Sequence, residues 1–163
     1  MISWEKRPIE IASLLNPAFC GEILRRCVKA YEDAAARPLP YSLIFFVLPI
    51  ILHKNTRESL PISVKSQLHV WLQSHQEAKV GFAERMRQLV PVTREATTFL
   101  LQLDVFLISD DAGLSITSHK VRDVIGQTEG EIADCYKKAR IIGQWLARVD
   151  NPATIYSMWG VKP

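Results

Sequence analysis

Twelve successive residues from Tyr41 to Leu52, YSLIFFVLPIIL, contain no charged side chain, and whatever fold the chain adopts has to hide them. The run is far shorter than the ~20 apolar residues that cross a bilayer, and Pro49 interrupts it. It reads as a core helix extending to about Lys54, kinked at Pro49 and covered on all sides by its own domain or by a partner. A chain of 163 residues, 48% hydrophobic and 23% charged, can bury such a run in one core without a disulfide framework or a structural metal.

Helical periodicity organises most of the remainder. Pro8 opens a short helix over 9–15, and Asn16-Pro17, a cap followed by a first-turn proline, starts a second that runs to about Ala35. Its apolar face is Cys20, Ile23, Leu24, Cys27, Tyr31 and Ala34, with Arg25, Arg26, Lys29, Glu32 and Asp33 on the other side. Arg37-Pro38-Leu39-Pro40 is a proline-stiffened connector, and Asn55 to Ile62 is a loop. Ser63 to Ser74 returns to helical spacing with Val64, Leu68, Trp71 and Leu72 inward. Lys79 to Leu89 follows, with Val80, Ala83, Met86 and Val90 near one face. Thr93 then caps a separate helix whose stripe is Ala96, Phe99, Leu100 and Leu103.

Val105 to Ile108 and Leu114 to Thr117 are short apolar or β-branched runs around a turn rich in Asp and Gly, the pattern of a β-hairpin. Helices followed directly by a hairpin give the order of a winged helix, with Thr93 to Leu103 in the place of the recognition helix and Asp110 to Gly113 at the wing tip. Thr128-Glu129-Gly130-Glu131 fits a capping box. It opens a helix with Ile132, Cys135, Tyr136, Ala139, Ile142, Gly143, Leu146 and Val149 inward, stopped before Pro152. Ala153 to Pro163 carries Ile155, Tyr156, Met158 and Trp159, is too short for a full helix of its own, and should dock on the domain or on another chain. The expected fold is mainly α, a single domain over 1–163 with one β-hairpin and a winged-helix-like order. It divides into an N-terminal helical arm at 1–36, a helical core at 41–120 with the hairpin at 105–117, and a C-terminal helix and docking tail at 128–163.

The 20 Lys and Arg against 17 Asp and Glu are spread along the chain, so there is no basic arm for nucleic acid and no polybasic membrane anchor. Three cysteines without a CxxC pair argue against a secreted disulfide scaffold, and MISWEKRPIE lacks the apolar core of a signal peptide, which together point to the cytoplasm. No glycine-rich phosphate loop, no HExxH and no paired Cys ligands occur, so no catalytic, cofactor or metal residue is assigned. Cys20 and Cys27 share a helix face but would lie about 10 Å apart, too far to bridge, and read as small buried hydrophobes. A Cys20–His53 nucleophile pair is disfavoured because Cys20 lies on the apolar stripe. The cluster His53, Lys54, Arg57 and Glu58 is either a solvated helix end or a patch that contacts an anion or a partner. For DNA, the helix TREATTFLLQL offers one cation, Arg94, and the wing tip offers Asp110 and Asp111. Arg85, Arg87, Lys120 and Arg122 allow at most weak backbone contact, so this face suits docking to protein better than reading of bases.

Two blocks carry a family resemblance: Trp4, Arg7-Pro8, Glu10, Ala12 and Leu15-Asn16-Pro17-Ala18-Phe19-Cys20, then Leu39-Pro40, Leu48-Pro49, Leu52-His53-Lys54, Arg57 and Leu60-Pro61. Over these first 60 or so residues the chain resembles the middle component of bacterial three-component ABC ATPase systems, a group that overlaps the small accessory subunit of Lamassu-type anti-phage defence. The resemblance implies no catalytic motif. It implies an adaptor that binds an SMC- or Rad50-like ATPase and an effector, commonly a nuclease. The adaptor helps hold the effector inactive until foreign or aberrant DNA is sensed, meeting DNA only through the complex. Candidate partner-binding residues are Trp4, Arg7, His53, Lys54, Arg57, Tyr156 and Trp159, although the apolar ones would serve equally to fill the domain's own core. Reversing Lys54 and Arg57 together is expected to leave the fold intact and weaken association. The competing readings are a winged-helix DNA-binding regulator and a small hydrolase using an unrecognised Cys or His.

Overall fold

The computed structural model describes residues 15–117 and 129–162. Most of the helix expected over 9–15, together with Trp4, Arg7, Lys120, Arg122 and Thr128, lies outside them. The Asn16-Pro17 signal works as its chemistry dictates: the Asn16 side-chain oxygen accepts the Ala18 N–H at 2.8 Å, and α1 spans Pro17–Ala35. It stops where Ala36 enters the left-handed region and donates its N–H to Glu32 O. Cys20, Ile23, Leu24, Cys27 and Tyr31 are fully buried as their spacing requires. Arg25 is a correction, for it is buried with them. Its guanidinium meets Glu22 through two hydrogen bonds of 2.7 and 2.8 Å, which offset the charge that would otherwise hold it in solvent. Ala34, expected inward, is exposed.

The connector before the apolar run is also a strand. β1 (Leu39–Pro40) lies antiparallel to β3 (Gly113–Ile116), which pairs on its other side with β2 (Phe106–Ile108), so the hairpin becomes a three-stranded sheet of order β1-β3-β2. Pro40 sits opposite Gly113 on an edge strand, the place where a missing N–H is tolerated. The apolar run is not one kinked helix. It forms a 3₁₀ segment, Tyr41–Phe46, followed by α2, Val47–Ile51. The change of winding puts Pro49 in the first turn of α2, where its absent donor has no intrahelical partner to lose. Of the run, Leu43, Ile44, Phe46, Val47, Leu48, Ile50 and Ile51 are buried in the chain's own core.

Residues 55–62 are not all loop, since Lys54–Ser59 forms α3 with the His53 ring nitrogen at its N-terminus. Helix α4 is confined to Leu68–Ser74 and is followed by a 3₁₀ turn, Gln76–Lys79. The two helices expected on either side of Thr93 are one: α5 runs unbroken over Phe82–Gln102 with Pro91 inside it. Thr93 is therefore no cap but a buried residue, and Val80 and Leu103 are exposed. Helix α6 spans Glu131–Ala147 and begins at Gly130, whose φ of 93° marks the entry. The tail is a second correction of type, because Pro152–Trp159 forms α7, capped by Asn151 through a 2.9 Å bond to Ala153 N.

α1 packs chiefly on α6 and next on α5. At the first crossing a Cβ on Gly143 would meet the Cys27 carbonyl oxygen at 2.2 Å, so only glycine fits there. At the far end Trp159 stacks on Phe82 at 4.2 Å and lies 6.4 Å from Trp71, which in turn faces Trp145 at 5.5 Å. The expected docking of the tail is thus met inside this chain.

Candidate functional site

The last part of the second resemblance block, 52–61, is held against the start of α6 by buried charge. Arg57 Nη1 donates to Ile51 O at 2.9 Å, Nε to Asp134 Oδ2 at 3.0 Å and Nη2 to Glu131 Oε1 at 2.5 Å. The Arg57 side chain is 4% exposed, against 68% for Glu131 and 37% for Asp134. Burial alone would make the guanidinium easier to deprotonate; the hydrogen bond to Glu131, with Cys135, Asp134 and the Glu131 charge, reverses that and raises its pKa. One turn further along α6, Lys138 Nζ donates to Leu60 O and Pro61 O at 2.5 and 3.0 Å, and burial lowers its pKa.

The irregular stretch that follows is tied down in the same manner. Trp145 Nε1 donates to Ser66 O at 2.7 Å, Arg148 Nη2 to Val64 O at 3.0 Å and Trp71 Nε1 to Ser59 O at 3.1 Å. Backbone without a ladder of its own must find donors elsewhere, and α6 with the residue just beyond it supplies two of these three. Above Arg57 the chain leaves an open groove of about 440 Å³ lined by Lys54, Glu58, Gly130, Glu131, Asp134 and Lys138 as well as Arg57.

The candidate partner residues divide on this geometry. Lys54 is exposed and ion-paired to Glu58 at 3.8 Å. His53 has its Nδ1 2.7 Å from Thr56 Oγ1, and burial and then the nearby Arg85 charge lower its pKa. Arg57 is interior, so a charge reversal there removes the partner of a buried carbonyl and two carboxylates; the expectation that it would leave the fold intact does not stand. Tyr156 is half-buried, its hydroxyl donating to Ser42 O at 2.9 Å and its ring edge-on to Phe46 at 4.7 Å. Trp159 is 2% exposed and belongs to the core. The structure places His53 and Lys54 at the start of α3 and Arg57 in its last turn, and puts Tyr156 and Trp159 on α7.

The weak DNA candidates divide as well. Arg85 donates to Val80 O and Ala78 O at 2.7 and 3.1 Å, clamping the preceding turn onto α5. Arg87 pairs with Glu84 on the surface, and Arg94 is exposed. Glu131, Asp134 and Lys138 were missed by sequence reasoning. Their i, i+3, i+7 spacing marks one polar face of α6, but nothing local reveals an arginine 74 to 81 residues earlier as its counterpart.

Chemistry at the thiols is closed off. Cys20, Cys27 and Cys135 are all free and buried. Burial first, and then the Glu95 charge, pushes the Cys20 thiol up to about 12, and burial raises Cys27 and Cys135 too. A thiol so placed is no nucleophile at neutral pH. Among the described residues no group of three or more His, Cys, Asp or Glu side chains is arranged to hold a metal ion, and no helix is long and apolar enough to cross a membrane.

No curated protein and no solved structure is significantly similar to the chain. The family model described as ABC-three component (ABC-3C) system Middle Component 3 matches it over residues 4–163, well beyond the first 60 on which the resemblance was read. The chain belongs to that family of middle components of ABC-three component systems.

Proposed function

We propose that this chain is a non-catalytic accessory subunit of a cytoplasmic anti-phage complex, overlapping the Lamassu type, in which it links an SMC- or Rad50-like ATPase to an effector, commonly a nuclease. The observation that carries this is the family match over 4–163, which makes the chain a component of a multi-protein ABC system. In this role it works by docking: it holds the effector inactive until the ATPase engages foreign or aberrant DNA, and passes that change on through its helices. The exposed Lys54–Glu58 edge, held rigid by the buried Arg57 beneath it, is a partner-facing surface. The described residues act as one domain, because a single apolar cluster draws on α1, α2, α5, α6 and α7. The sheet order β1-β3-β2, with the first strand entering between helices, supports a winged-helix-like core, and Asp110 and Asp111 at its tip suit protein contact better than phosphate.

Co-expression of this chain with the ATPase and effector encoded beside it, then affinity purification and mass determination with and without DNA, tests the reading. A stable assembly in which this chain has no activity of its own is expected. A monodisperse free chain that ignores both neighbours would overturn it.

A further inference from the structure

The outer face of α5 and the turn after α7 enclose a groove of about 560 Å³. Its floor is apolar, with Met86 buried and Val90 and Val161 half-buried, and its rim carries the exposed cations Arg87, Arg94 and Lys162. None of the described residues that line it is acidic. Ala83, Met86, Arg87, Val90 and Arg94 recur at helical spacing along α5, so the groove runs about 16 Å, three turns of helix. The opposite wall is fixed by Gly160, whose φ of 66° ends α7 and returns the chain so that Val161 N donates to Tyr156 O at 3.0 Å.

We infer that this groove receives an acidic amphipathic helix from another subunit of the assembly. This rests on the accessory-subunit reading above and adds to it a place and a chemistry. The charge pattern selects the occupant. An apolar floor rewards a helix that lays down residues at i, i+3, i+4 and i+7, and an all-basic rim requires that the flanks of that helix be Asp or Glu. A nucleic-acid backbone would satisfy the rim but leave the floor uncovered. Arg87 is already paired with Glu84; an exposed pair of this kind exchanges partners at little cost. Arg94 and Lys162, with no ion pair among the described residues, carry most of the attraction.

The test uses the full chain with the co-encoded ATPase and effector, measuring association at low and high salt for the wild type, Arg94→Glu, Arg94→Lys and Val90→Asp. Wild-type affinity should fall with salt, Arg94→Glu should weaken association about tenfold and Arg94→Lys no more than about twofold. Arg94 is exposed, so its variants stay folded even if Val90→Asp does not. A photocrosslinker in place of Val90 should capture an acidic amphipathic segment of one partner. Unchanged affinity of Arg94→Glu and Val90→Asp within an intact assembly would overturn the groove assignment and leave the accessory-subunit reading standing. Capture of a basic or neutral segment would overturn it too. So would loss of binding to a DNA duplex by Arg94→Glu with subunit affinity unchanged. Failure of the wild type to associate at all would overturn both.

Discussion

Arg57 shows how a surface-looking signal can belong to the interior. In sequence it stands between Thr56 and Glu58, beside Lys54, and reads as part of a solvated charge cluster; in the fold it is the buried member and Lys54 the exposed one. Replacing Arg57 by Met leaves Ile51 O without its donor and should lower unfolding free energy by about 1–3 kcal/mol. Lys54→Glu, by contrast, should change it by no more than about 0.5 kcal/mol. Chemical denaturation of both variants separates the two, and equal losses would refute the assignment. His53 makes a pH-dependent contribution. Its folded pKa lies below the ordinary 6.5, so the unfolded chain binds the proton more tightly. The stabilisation is therefore full above about pH 6.5 and is lost as pH falls through the folded value. Melting temperatures measured from about pH 7.5 to 5 should fall less for His53→Asn, which caps α3 without titrating. Parallel pH profiles would show that His53 has no such part.

At the scale of elements, what was legible followed from short-range chemistry. The Asn16-Pro17 start of α1, the hairpin turn and the apolar face of α6 each depend on residues within a few positions of one another, and each is where the sequence puts it, except that Ile132, expected inward, is 38% exposed in the first turn of α6. What failed depended on distant partners. The helix expected to end at Leu89 continues through Pro91 as α5, because Met86, Ala96, Thr97 and Leu100 on both sides are anchored in the core. The proline itself faces solvent, where water can serve the carbonyl left unpaired one turn back. Strand β1 was invisible because two residues carry no period, and its existence depends on β3 more than 70 positions later. The charged groove was half legible: Lys54, Arg57 and Glu58 stood out, whereas the carboxylate partners of Arg57 on α6 did not. The α1–α6 crossing supplies a test at this scale. Gly143→Ala, which helix propensity alone would favour by about 1 kcal/mol, should instead destabilise by about 1–3 kcal/mol, since the added methyl meets backbone at 2.2 Å. A rise in melting temperature would mean that the two helices are not in such close contact.

Among the described residues, α1 has α5 and α6 packed against it, and the three tryptophans Trp71, Trp145 and Trp159 gather at the far end. Fold class was readable because helices dominate and most of them declare an inward face; the proposed assembly role rests on family membership, since among the described residues no cluster of reactive groups announces a chemistry. Segment 60–66 has one backbone bond of its own, Lys65 N to Ser63 O at 3.0 Å, and otherwise owes its shape to Lys138, Trp145 and Arg148, donors at or just beyond α6. It and α6 therefore open and close as one cooperative unit. A partner that tilts α6 would rearrange this distant stretch in the same event, with no intervening hinge.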